Sequence, residues 1–468
     1  MINDLLNYVE DKRILILGFG KEGKSTYNFL RSHFEEKKLF IADRDISLLE
    51  KNPELMDDMD LEISVGENYL NGIEEYDLII KAPGISFKGL DISLYKDRIT
   101  SQLELFLEYF NNYTIGITGT KGKSTTSSLM YEVLKVNGKD VFLLGNIGKP
   151  IFEEIENFKE DSIVVIELSS HALQYIKKST NIAILLNIHE EHLDHYNDFD
   201  EYAFAKMNIG KYQSDNDYFI VNKDDEEIQK RILVLENKNS LNMRNISLKD
   251  KNVDVYLDND NNIVINDNNI VINDKVIINV DELLNKMKLK GMHNVNNIMF
   301  ILQAALIMNL DELKSIEAII DFNPLEHRME FVAKINDVDF YNDSIATIPS
   351  STINAIEAIK NIGTLIVGGK DRGVNLEELF EFLRNSEIEN IICLPKTGEF
   401  IYENLKDEEN KNVVLVSELK EAVRIAKNKT KKGKVCLLSP AASSYGYFKN
   451  FEERGRLFKE YVLDDTVI

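Results

Sequence analysis

A chain of 468 residues, with 44% hydrophobic and 29% charged residues, can bury several cores and has the composition of a folded globular protein rather than a disordered one. Its formal net charge of -24 repels nucleic acid and anionic membranes at long range, so an anionic small substrate must be met by local positive groups. At about 100–200 residues per domain, three domains are expected.

The opening segment MINDLLNYVEDKRILILG lacks the basic-then-apolar layout of a secretory signal. Apolar runs such as Ile182 to Leu186 fall far short of the ~20 residues that cross a bilayer, so a cytoplasmic protein without membrane insertion is expected. The first strand is expected at Ile14 to Leu17. GFGKEG at Gly18 to Gly23 follows it and opens a helix, and Asp43 ends the next strand, Leu39 to Ala42. Taken alone, this is a dinucleotide fingerprint and fits a nicotinamide oxidoreductase. Its physics, however, requires only close backbone approach to a diphosphate and an acid that accepts hydrogen bonds, which a UDP-sugar also satisfies.

After a further strand at Leu78 to Lys81, a domain break is expected near Asn111 and Asn112. Residues Gly116 to Thr126 then read GITGTKGKSTT, between a strand at Thr114 to Thr118 and a helix beginning near Thr125. Glycines that turn backbone N–H groups inward, followed by a helix N-terminus, make a cradle for triphosphate. Gly119, Thr120, Lys121, Gly122, Lys123, Ser124 and Thr125 are its candidates, Lys123 for phosphate charge and Ser124 for Mg²⁺. The strict G-x-x-x-x-G-K-S spacing would require glycine at Ile117; the chain instead has the shorter form starting at Gly119. Two anion sites in one chain suggest a nucleotide-linked substrate plus ATP.

GNIGKP (Gly145 to Pro150), IELSSHAL (Ile166 to Leu173) and NIHEEHLDHY (Asn187 to Tyr196) each follow an expected strand, with strands at Ile163 to Glu167 and Ile182 to Asn187. At that edge of an open α/β sheet Ser124, Glu167 and His192 could converge on metal and phosphate. His171, His189 and His195 are read as satisfied loop histidines. Lys206, in the helical pattern EYAFAKMNI, is by default a surface lysine. The Asn- and Asp-rich segment Lys251 to Asp281, with a tandem repeat at Ile263 to Asp274, predicts short hairpins. A helix follows at Val295 to Met308, then a second break near Asn323 and Pro324. Further strands are expected at Leu365 to Val367, Ile391 to Leu394, Val413 to Val416 and Val435 to Leu438. Cys393 and Cys436 lie in two of these and read as buried, reduced residues.

The ordered set GTKGKSTT, GNIG, ELSS, HLDHY, GMHNVNN (Gly291 to Asn297), EHRMEF (Glu326 to Phe331), YNDS (Tyr341 to Ser344) and SPAASSYGYFKNFEERG (Ser439 to Gly455) resembles the Mur ligases over essentially the whole chain. The C-terminal block is closest to the glutamate-adding member. The resemblance implies a peptidoglycan-precursor ligase, tied to cell shape and division, with three α/β domains: 1–111 Rossmann-like for UDP, 112–323 a P-loop ATPase type with a parallel sheet, and 324–468 Rossmann-like for the amino acid. Glutamate would be joined to UDP-N-acetylmuramoyl-L-alanine through an acyl phosphate, with ATP and Mg²⁺, by a monomer.

By similarity, Lys21, Asp43, Arg44, Gly84, Asn146 and Ser169 would hold the UDP substrate. Asn294, Arg328 and Asp343 would join the loop around ATP. Ser124, Glu167, His192 and a carbamylated Lys206 would serve the metal, and Lys123, Glu167, His192 and Lys206 the chemistry. Thr347, Arg372, Ser444 and Phe451 would meet glutamate. The chain departs from the family at Ile345, where Asp-Ser-Lys-Ala-Thr is common, so addition of L-glutamate stays open beside D-glutamate. A folate polyglutamyl ligase would lack the GFGKEG domain, and a diaminopimelate-adding enzyme would carry Asp-Asn-Pro-Arg. A non-catalytic nucleotide sensor is the remaining alternative.

Overall fold

The structure, a computed structural model, describes residues 2–192, 195–235, 238, 240–266, 275–289, 291–323, 325–371 and 373–467. Among these residues the strands form three sheets. The first contains β1 (Ile14–Leu17), β2 (Leu39–Asp43), β3 (Leu61–Val65), β4 (Leu78–Lys81) and β5 (Ile99–Thr100), in the order β3-β2-β1-β4-β5. All its pairings are parallel, with Ile14 opposite both Leu39 and Leu78. Every residue of β1 is buried, as expected for a four-residue apolar run covered on both faces. Since β2 and β4 flank β1, the chain reverses its direction of winding there, and the loops after β1 and β4 open onto one crevice.

Gly23 seals the first turn of helix Lys21–His33 against that crevice, because a Cβ there would lie 1.9 Å from the Gly18 carbonyl oxygen. Gly23→Ala is therefore expected to cost about 1–3 kcal/mol, the range of overpacking. The reading is a lower melting temperature; an unchanged one would mean that the turn yields.

The second sheet contains β6 (Tyr113–Thr118), β7 (Val141–Gly145), β8 (Ile163–Glu167), β9 (Ile182–Leu185), β10 (Tyr218–Asn222), β11 (Met243–Ser247), β12 (Val255–Leu257), β13 (Asn262–Ile265) and β14 (Lys275–Asn279). Its order is β14-β13-β12-β11-β10-β9-β6-β8-β7, parallel except for the antiparallel β12-β13-β14 edge. The hairpin expectation holds at β12 and β13, whose turn is tied by Asp258 accepting from the Asp260 and Asn262 N–H groups. Residues 267–274 of the tandem repeat lie outside the described residues. The strand expected to reach Asn187 stops at Leu185, because Asn187 turns its side chain onto the loop after β6.

One hydrophobic cluster joins these two sheets, with Phe29 against Phe152 at 4.7 Å between ring centroids. Residues 1–286 and 293–321 accordingly form one compact unit, and 287–292 with 322–468 a second.

That second unit holds the third sheet: β15 (Glu330–Ile335), β16 (Val338–Asn342), β17 (Ile362–Gly369), β18 (Asn390–Lys396), β19 (Asn412–Leu415) and β20 (Val435–Leu438), in the order β15-β16-β20-β17-β18-β19. Only the β15-β16 pairing is antiparallel. Cys393 and Cys436 are buried free thiols in β18 and β20. The α/β class expected from the alternating pattern is the class observed. Among the described residues no helix is long and apolar enough to cross a membrane.

Candidate functional site

Three loops meet where the second sheet changes its winding direction, after β6, β8 and β9. Gly119 to Gly122 leads from β6 into helix Lys123–Val136. Gly122, the residue before the helix, has φ +90°, a left-handed conformation that favours glycine, and a Cβ there would also sit 2.9 Å from Asn297 Oδ1. Lys123 folds back over the loop, its Nζ donating to the carbonyls of Gly119 (2.9 Å) and Thr120 (3.0 Å). Ser124 lies half-buried in the first helical turn, followed by buried Thr125.

The loop after β9 braces this cradle. Asn187 accepts from the Lys121 N–H (2.8 Å) and donates to the Lys121 carbonyl (3.0 Å). Thr120 Oγ1 lies 2.9 Å from the Tyr202 hydroxyl, and Lys121 pairs with Glu191 at 3.2 Å. His192 has φ 60° and an exposed ring, 4.8 Å from the His171 ring. Leu193 and Asp194 of the HLDHY motif lie outside the described residues. His171 packs 4.1 Å from His195, and its pKa is lowered to about 3, first by burial and then by the neighbouring His195 and His192. The backbone N–H of His189 donates to Thr120 Oγ1 at 2.9 Å.

Lys206 is no surface lysine. It is 2% exposed on helix Phe199–Lys211, and its Nζ donates to the Gly119 carbonyl at 2.9 Å, the acceptor that Lys123 also uses. Burial, and next the charge of Lys123, hold its pKa well below the ordinary lysine value. Glu167 ends β8 and is 1% exposed; its Oε1 accepts from Asn146 Nδ2 at 2.7 Å. Its Oε2 is buried and accepts no hydrogen bond among the described residues. A carboxylate oxygen held bare beside a phosphate-type loop fits a hard cation such as Mg²⁺. Asn294, buried on helix Met292–Ile307, accepts from Asn297 Nδ2 at 3.3 Å, which places it one helical turn from the residue against Gly122.

Lys21, Asp43, Arg44 and Gly84 belong to the crevice of the first sheet. Asp43 already accepts from the Phe19 N–H (2.6 Å) and the Asp45 N–H (2.8 Å), while Lys21, Arg44 and Gly84 are exposed. Under the same crevice Glu22 is raised to about 7 and Lys81 lowered to about 8, each mainly by burial. Ser169 caps the short helix Ser170–Leu173, accepting from the Ala172 N–H at 3.1 Å. Ser86 donates to the His195 carbonyl at 2.7 Å and so links the loop after β4 to the loop after β9.

In the second unit Asp343 is buried, accepts from Ser439 Oγ (2.7 Å) and the Met329 N–H (3.2 Å), and is raised to about 7 by burial against the opposing effects of Ser439 and Arg328. Arg328, Thr347 and Phe451 are half-buried and Ser444 buried; Arg372 lies outside the described residues. Asn187, Tyr202, Asn297 and Arg454 hold these loops without being chemical candidates by residue type. Three of them stand inside recognisable motifs, but only their neighbours in space reveal what they hold.

The Mur ligase middle domain model matches residues 117–305, and the model of the Mur ligase glutamate ligase domain matches 327–442. The UDP-N-acetylmuramoylalanine–D-glutamate ligase of Clostridium kluyveri is 34% identical over 481 residues, covering 99% of each chain. That of Clostridium tetani is 34% identical over 482 residues, covering 98% of each. Among solved structures, the UDP-N-acetylmuramate-alanine ligase of Thermotoga maritima aligns with TM-score 0.57 at 18% identity, over 96% of this chain and 98% of its own. The MurF ligase of Thermotoga maritima in complex with ADP aligns with TM-score 0.56 at 16% identity, over 97% and 96%. At such identities the two structures speak for the fold.

Proposed function

Because the chain belongs to the Mur ligase family, we propose that it joins D-glutamate to the L-alanine carboxylate of UDP-N-acetylmuramoyl-L-alanine at the expense of ATP, in peptidoglycan precursor synthesis. The observation that carries this reading is the juxtaposition of a phosphate-type loop with two buried, unusually placed groups, Lys206 and the bare oxygen of Glu167.

In this reading the chain works in three parts, 1–111, 112–323 and 324–468, as a cytoplasmic monomer. Lys21, Asp43, Arg44, Gly84, Asn146 and Ser169 hold the nucleotide sugar. The loop Gly119 to Thr125, with Asn294, Arg328 and Asp343, holds ATP. A substrate carboxylate oxygen attacks the γ-phosphorus, a P–O bond forms, the β,γ-bridging bond breaks and ADP leaves. The amine of glutamate, positioned by Thr347, Arg372, Ser444 and Phe451, then attacks the acyl carbon. A C–N bond forms, phosphate departs and the amine loses a proton. Phosphorylation is needed because an oxide is a poor leaving group.

Lys123 neutralises charge as two anions approach each other. Ser124, Glu167 and His192 would hold Mg²⁺, which when bound supplies a Lewis acid for the phosphate oxygens. Lys206 joins them once carbamylated: its uncharged nitrogen bonds to the carbon of CO₂, a proton is released, and a buried amine becomes an oxygen donor. The location supports this, because burial and the charge of Lys123 disfavour the ammonium more than Glu191 and Glu167 favour it.

The test is phosphate release with ATP, Mg²⁺ and UDP-N-acetylmuramoyl-L-alanine, run with D-glutamate, L-glutamate and no amino acid. Turnover with D-glutamate is expected. Turnover with L-glutamate alone would overturn the stereochemical assignment and point to Ile345, and silence in every arm would overturn the ligase reading.

A further inference from the structure

Lys121 stands between β6 and helix Lys123–Val136, and its backbone is pinned: Asn187 accepts from its N–H at 2.8 Å and donates to its carbonyl at 3.0 Å. The N–H of the preceding Thr120 donates to the Asn187 carbonyl at 2.9 Å. Adjustment to a ligand therefore falls to the Lys121 side chain, which is 36% exposed. Two other lysines of this loop, Lys123 and Lys206, donate to loop carbonyls. Lys121 is held differently, with its Nζ 3.2 Å from Glu191 Oε1.

Glu191 arrives from the loop after β9, 70 positions further along the chain. Its other oxygen lies 3.7 Å from His192 Nε2, and its charge acts on Lys206, opposing the burial that lowers the pKa of that lysine. One carboxylate thus stands among the groups read as serving phosphate and metal, and binding phosphate does not require it. A negative charge beside a loop suited to anions repels a triphosphate and occupies one of its cations. With the Glu191 side chain 26% exposed, water screens the pair and keeps it weak. A ligand carrying several negative charges can displace it.

We propose that Glu191 is a resident competitor for the nucleotide: in the nucleotide-free protein it holds Lys121 as a counter-ion, and ATP binds by an ion-pair exchange in which phosphate takes Lys121 from Glu191. The exchange needs no movement of the pinned backbone, and it sets the affinity for ATP below what the loop alone would give. This rests on the reading of Gly119 to Thr125 as the ATP loop.

The experiment is calorimetric titration of the full chain with ATP at saturating Mg²⁺, without the nucleotide sugar so that nothing turns over, for the wild type, Lys121→Gln, Glu191→Gln and the double variant. Melting temperatures check that each protein folds. Lys121→Gln is expected to raise Kd for ATP by about tenfold, the scale of one lost charge-assisted contact. Glu191→Gln should lower Kd by about two- to sixfold, because a weak surface pair no longer has to open before phosphate binds. In the Lys121→Gln background the same change should give a smaller gain, since repulsion between Glu191 and phosphate is relieved there but no pair remains to be opened. Equal gains in the two backgrounds would reduce Glu191 to through-space repulsion and overturn the exchange. A Kd raised by Glu191→Gln, or unchanged by Lys121→Gln, also overturns it. Wild-type protein that binds no ATP would instead strike the nucleotide-site reading.

Discussion

Replacing Lys206 by alanine is expected to lower kcat by about 10³-fold, with part of the loss restored by formate or acetate. The amine is buried against the Gly119 carbonyl, inside the loop proposed to meet phosphate. An ammonium here would add to the charge of Lys123, which shares that acceptor, whereas a carbamate places oxygen atoms where metal and phosphate must be organised. Truncation removes the nitrogen and with it the proposed CO₂ adduct, and a small carboxylate can occupy the space and return the two carbamate oxygens. The loss falls in the range seen when a group that stabilises transition-state charge is deleted. A second readout is direct: wild-type protein equilibrated with ¹³C-bicarbonate should show a carbamate carbon resonance that the alanine variant lacks. Wild-type kcat in the variant, or a loss without rescue and without that resonance, would remove the carbamate from the mechanism.

Glu167→Gln separates activity from stability. The amide oxygen of glutamine can still accept from Asn146 Nδ2, so the contact at the end of β8 survives. What disappears is a buried charge whose second oxygen has no partner in the described structure. Burying such a group is unfavourable, so the melting temperature is expected to stay level or rise. Activity should move the other way, with kcat falling by about 10²–10³-fold and a higher Mg²⁺ concentration needed for half-maximal rate. A clear drop in melting temperature with unaltered Mg²⁺ dependence would assign Glu167 to the fold rather than to the metal.

The two predictions rest on features of different legibility. Glu167 is visible in the sequence, because a short apolar run, IVVIE, ends on a carboxylate at the edge where α/β sheets bind ligands. The bare state of its second oxygen is not visible, since it depends on what fails to approach from β7 and from helix Phe199–Lys211. Lys206 is the sharper case. The pattern EYAFAKMNI leaves a lysine on what reads as an ordinary helix, and the family resemblance alone singles it out. The packing shows why it is special, since that helix turns this position into the loop after β6 rather than toward solvent. Arg454 lies in the recognisable run FKNFEERG, yet arginine early in a helix is unremarkable until Ser344 and Ala442 arrive from elsewhere in the chain.

The sequence by itself determined the layered α/β class and most of the parallel strands. Runs such as ILIL, IVVIE and VCLL must be covered on both faces, and they occur as β1, β8 and β20 with the bounds their apolar pattern predicts. It also determined the phosphate loop, where glycine at a left-handed position next to Lys123 leaves little conformational choice. Less apolar strands such as β3, with its half-exposed Leu61–Val65, were settled by pairing with β2, because a strand that buries one face weakly is specified by its neighbour more than by its own pattern. Only the tertiary structure decided that the first two sheets share one core through Phe29 and Phe152, and that Asn187 braces Lys121. Hydrogen bonds and desolvation act between atoms within a few ångströms, and residues 66 positions apart become neighbours only once the sheet has assembled.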